Sequence, residues 1–101
     1  MDKKDFIENT RYTVTLRQAN GQLRPANIYV QRLYKDSMII RQTDHEGLLR
    51  KLAYTDVLRI VSSKTVPKQD WYHVPDAILQ ESNWEDRSEI YHYSSAPHMG
   101  K

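Results

Sequence analysis

Four histidines, His45, His73, His92 and His98, are the residues whose type could bind a metal or move a proton near neutral pH, but their spacing fits no metal signature. Glu85 and Asp86 are the nearest thing to a catalytic carboxylate pair. Adjacent residues point apart on most backbones, and these two lie in an acidic stretch without the features of a cleft. There is no cysteine, which removes disulfides, thiolate zinc sites and cysteine nucleophiles and fits a reducing compartment. Three glycines are too few for a glycine-rich phosphate loop. No local motif unites a nucleophile, a base and an orienting group, so the expectation is no enzymatic activity, no cofactor, no metal and no small-molecule substrate.

Charge is the other chemical resource. The net +2 divides unevenly: residues 1–64 carry 12 Lys/Arg against 7 Asp/Glu, a surplus of +5, and residues 65–101 carry 3 against 6, a deficit of −3. A basic first part can supply phosphate contacts, although many proteins with such a surplus never meet nucleic acid.

The elements that would position these residues are short strands. At 101 residues the chain holds one domain with a modest core. Within it we expect a β domain over residues 1–64 and a C-terminal extension over 65–101. Tyr12, Val14 and Leu16 alternate with Thr13, Thr15 and Arg17 up to Asn20-Gly21, a pair that tolerates the positive φ of tight turns. A second strand is expected over Leu23–Leu33, with Pro25 near its start. Met38-Ile39-Ile40 reads as the third, Leu48–Ala53 as the fourth and Val57–Val61 as the fifth. Residues 43–47 read as a turn between the third and fourth.

Asp2–Asn9 could form one or two helical turns held by packing. Trp71, Tyr72, Trp84, Tyr91 and Tyr93 are too many aromatics for a wholly disordered extension. Pro75 suits the start of a short helix over residues 76–80, residues 88–93 suit an added strand, and Ala96–Lys101 reads as loose. No apolar run is long enough for a signal peptide or a membrane span, so a cytoplasmic, soluble protein without membrane partners is expected.

Val14–Gly21 resembles the opening of the first motif of the Sm-like (Lsm/Hfq-type) family, and Met38-Ile39-Ile40 resembles the apolar strand that closes it. Leu52–Val61 resembles the second motif, a strand, a three-residue turn and a final apolar strand. The resemblance covers residues 12–63 and is nearest in pattern to the bacterial Hfq branch and divergent Lsm proteins. It implies a mainly β fold: a small, strongly bent, antiparallel five-strand barrel with a short N-terminal helix, here followed by an ordered C-terminal extension. It also implies self-association into a homo-oligomeric ring through the edges of the fourth and fifth strands, with Leu52, Val57, Leu58 and Ile60 at the subunit interface. Five, six or seven copies are all compatible with the sequence. The alternative is a monomer whose aromatic extension covers that edge.

The family binds single-stranded RNA at loops around the ring's pore. Carried over, those loops hold Tyr34, Lys35 and Ser37, then Tyr54 and Thr55. Tyr54 would stack a base, Lys35 would meet a phosphate or base carbonyl, and Ser37 and Thr55 would donate hydrogen bonds. Each tyrosine fits a barrel or interface position equally well, and Lys35 also fits a solvated loop. The chain departs from the family pattern at Ala26, where a glycine is expected, and at Lys35, Ser37, Ile39 and Ala53-Tyr54-Thr55. Two functions therefore remain: an RNA chaperone or regulator, and a structural or protein-interaction ring that has lost its RNA site.

Overall fold

A computed structural model describes residues 1–42 and 48–85 and the backbone of residues 89–90. The chain is mainly β. Its strands are β1 (Thr10–Arg17), β2 (Leu23–Leu33), β3 (Ser37–Gln42), β4 (Leu49–Ala53), β5 (Val57–Thr65) and β6 (Glu89–Ile90), with one four-residue helix, α1 (Asp76–Leu79). They form one antiparallel sheet in the order β5-β1-β2-β3-β4-β6. The sheet is not closed, because among the described residues β5 pairs only with β1.

Alternation in β1 sends Tyr12, Val14 and Leu16 to one face, where they meet Ile28 and Val30 of β2, Met38 and Ile40 of β3, Leu52 of β4 and Val57 of β5. Strands β1 to β5 thus feed one core on one face of the sheet. Gly21, at φ 86°, makes the β1–β2 turn that its sequence signals. The N-terminal segment plugs this core with Phe6, whose ring stacks on Tyr54 (centroids 5.9 Å apart) and meets Tyr12 edge-on at 5.1 Å.

The expected N-terminal helix is a single 3-10 turn over Lys3–Asp5. It stops early for two reasons. Ile7 donates its amide to the Tyr12 hydroxyl instead of a helical carbonyl, and Asn9 adopts φ 59°, turning the chain into β1.

The opposite face of the sheet carries a second core. Residues 66–85 run across it as a strap, so that Leu79 and Trp84, with Val74 and Ile78, pack on Tyr34, Ile39 and Leu49. Trp84 is fully buried; its indole N–H donates to the Ile78 carbonyl at 2.8 Å, and Lys51 donates to the Trp84 carbonyl at 2.6 Å. Helix α1 follows Pro75 as the sequence suggests. Arg32 ties the strap to the N-terminal segment, lying 3.8 Å from Glu8 and 3.4 Å from Asp76. The expected turn over residues 43–47, the loose end over residues 96–101 and all but two residues of the strand expected over 88–93 lie outside the described residues.

Candidate functional site

The two loops expected to act together do lie together. Tyr34 donates its amide to Ser37 O at 2.8 Å to close the β2–β3 turn, and Tyr54 donates its amide to Asp36 O at 3.4 Å from the 3-10 turn between β4 and β5. Ser37 pairs with Ala53 across the β3–β4 ladder. Lys35 and Thr55 are exposed and Ser37 is half-buried, with Asp36 and Asp56 beside them.

Both tyrosines turn inward. Tyr54 is 4% exposed, lies against Phe6 and donates its hydroxyl to the Tyr34 carbonyl at 2.6 Å. Burial, reinforced by the Asp36 carboxylate, pushes its phenol up to about 12. The Tyr34 ring enters the second core instead, where its hydroxyl donates to the Leu79 carbonyl and burial raises its pKa. The surface of this site therefore offers a lysine and hydroxyls, and no aromatic ring.

The four expected interface residues separate in the same way. Leu52 and Val57 are in the core, Ile60 packs half-buried against it, and Leu58 is 37% exposed. The cause lies in two breaks of register between β1 and β5. Thr13 pairs with Ser62 and Val14 with Ile60, which skips Val61; Thr15 pairs with Arg59 and Leu16 with Val57, which skips Leu58. Each break leaves one extra residue in β5, as in a β-bulge. The two residues ejected from the alternation are Leu58 and the 56% exposed Val61, so the bulges put two apolar side chains on an edge strand.

Among the described residues that edge has no further strand beside it; the apolar residues of the strap, Val74, Ile78, Leu79 and Trp84, pack instead on the outer face of β3 and β4. At the other edge, β6 pairs with Leu49 and Arg50 only, so that among the described residues Lys51–Ala53 of β4 pair with β3 but have no strand on their outer side.

One basic feature was hidden in the sequence by intervening loops. Strands β1 to β5 contain nine lysines and arginines and no aspartate or glutamate. The acids of the other described residues sit in the turns, the N-terminal segment and the extension. The register places Arg11 opposite Lys64 and Thr15 opposite Arg59 on the outer face, two residues from Arg17. Two adjoining clefts share Arg11 and Lys64: one of about 290 Å³ with Thr13, Asn27, Ser62 and Ser63, and one of about 330 Å³ with Val66, Asp70 and Tyr72.

Behind Tyr72 lies Arg41, which is 4% exposed and, among the described residues, has no hydrogen-bond acceptor for any of its three guanidinium nitrogens. It sits 4.4 Å from the centroid of the Tyr72 ring, and burial lowers its pKa. Gln31, the bulged residue of β2, donates to the Tyr72 carbonyl at 2.9 Å and holds this ring in place. Among the described residues no group of His, Asp and Glu is arranged to hold a metal ion. No described helix is long and apolar enough to cross a membrane.

Compared with protein-family models, curated proteins and solved structures, the chain matches none.

Proposed function

We propose that the chain is a divergent Sm-like module that assembles edge to edge into a homo-oligomeric ring and binds single-stranded RNA as a chaperone or regulator. One observation carries the reading: β4 and β5 are the outermost of the five principal strands, and β5 presents Leu58 and Val61 on its unpaired edge. An open edge with apolar side chains is a template for a neighbour, and a head-to-tail contact repeated by rotation closes. In such a ring the Lys35, Ser37 and Thr55 loops recur once per subunit, so weak phosphate and base contacts gain avidity. Filter binding of short single-stranded RNA across a salt series tests the function. Affinity that falls as salt rises is expected, and absence of binding at low salt contradicts it.

A second reading has its own support. With the Tyr34 and Tyr54 rings buried, the loop site lacks a stacking surface, which favours a structural or protein-interaction ring without RNA at the loops. Purified assemblies free of nucleic acid and without oligonucleotide affinity would select it.

A further inference from the structure

We infer that the outer face of β5, β1 and β2 is a track for the sugar-phosphate backbone of single-stranded RNA, with one base seated against Tyr72. This rests on the RNA reading above and places its main contact away from the β2–β3 and β4–β5 loops. Arg11, Arg17, Arg59 and Lys64 stand on this face, the three strands supply no carboxylate, and none of the four makes an ion pair among the described residues. From Arg11 to Arg17 the strand advances about 20 Å, the reach of several nucleotides.

The groups between the cations suit a ribose-phosphate chain. The Thr13 hydroxyl donates to Asn27 Oδ1 at 2.7 Å, which leaves its oxygen to accept from a 2′-hydroxyl, and Ser62, paired with Thr13, adds a donor for phosphate. Phosphates follow the first cleft between Arg11 and Lys64. In the second cleft Tyr72 forms an aromatic wall, its ring fixed by Arg41 at 4.4 Å and by Tyr29 edge-on at 5.1 Å. Asp70, the carboxylate in that cleft, is placed to accept from a base amino group and repels phosphate, which keeps the backbone on the Arg11 side.

Arg41 is an independent pointer. Its buried guanidinium has no hydrogen-bond acceptor among the described residues, so its charge is not neutralised locally and adds to the positive potential behind Tyr72. An acidic protein would also answer to the charge, but it would need an apolar anchor at the centre of the contact. The exposed apolar side chains of β5, Leu58 and Val61, are the ejected bulge residues and lie outside both clefts.

The test is fluorescence anisotropy of a labelled oligouridylate with the full chain, the double variant Arg11→Gln/Lys64→Gln, the independent pair Arg17→Gln/Arg59→Gln, and Tyr72→Leu, each checked for an unchanged circular dichroism spectrum. Each charge pair should weaken binding about ten-fold or more at low salt and flatten the log–log salt slope by about 1.4, since a single-strand phosphate contact contributes about 0.7. Tyr72→Leu should weaken binding and leave the slope intact. Wild-type binding with unchanged affinity and slope in both double variants overturns the track and leaves the RNA reading standing. No binding by the wild type overturns the RNA reading itself. Polyglutamate binding as tightly as RNA overturns the assignment of this face to nucleic acid.

Discussion

Tyr54 donates its hydroxyl to the main-chain carbonyl of Tyr34 across 2.6 Å, joining the two loops whose side chains had pointed to base stacking. The bond makes these tyrosines a clamp between loops. Removing the hydroxyl in Tyr54→Phe leaves the buried Tyr34 carbonyl without that donor, at a cost of about 1–3 kcal/mol. Urea denaturation should report that loss, while RNA affinity measured on the folded variant stays within about two-fold of wild type. A stable variant with lost affinity would return Tyr54 to the RNA site.

The same phenol gives a pH dependence. Its pKa is near 10 in the unfolded chain and pushed up to about 12 in the fold, so the fold favours the protonated form. The unfolded chain then releases the proton first, and stability falls as pH rises from about 10 towards 12. Tyr29 and Tyr34, also raised by burial, act in the same direction. Thermal melts across this range should show a decline that is smaller in Tyr54→Phe.

Arg41 is expected to cost stability. A buried guanidinium without an acceptor among the described residues carries a penalty of several kcal/mol, while its stacking on Tyr72 returns about 2 kcal/mol. Arg41→Met keeps the volume and removes the charge, so it should raise the denaturation midpoint. A marked loss of stability would mean that the guanidinium has a partner in solution.

Val61→Lys tests the edge. Val61 is exposed and skipped by the β1 ladder, so a lysine there should change monomer stability by about 0.5 kcal/mol or less. It should nonetheless reduce particle size in sedimentation velocity, because it places a charge on the edge that a neighbour would use.

The inner core was legible because period-two alternation writes it directly: Tyr12, Val14 and Leu16 face inward, and Asn20-Gly21 turns where it should. The second core was not. Its strap contributes Val74, Ile78, Leu79 and Trp84 at irregular intervals without a repeat, and only packing on Ile39 and Leu49 gives them a common face. The fate of Leu58 was equally hidden. Strict alternation puts it on the same face as Ile60, but Leu58 is itself the extra residue of a bulge, so it turns out while Ile60 turns in. For the candidate site, the family resemblance implied stacking by Tyr54 and placed Tyr34 in the same loops, whereas burial assigned both rings to cores. The carboxylate-free strands could be read from composition only once strand boundaries were known.

Light scattering on the purified full chain tests assembly, on which the account turns, most directly. A closed ring predicts a single particle of five to seven times the 12.0 kDa chain mass, persisting on dilution into the micromolar range. A monomer of 12.0 kDa under those conditions would contradict it.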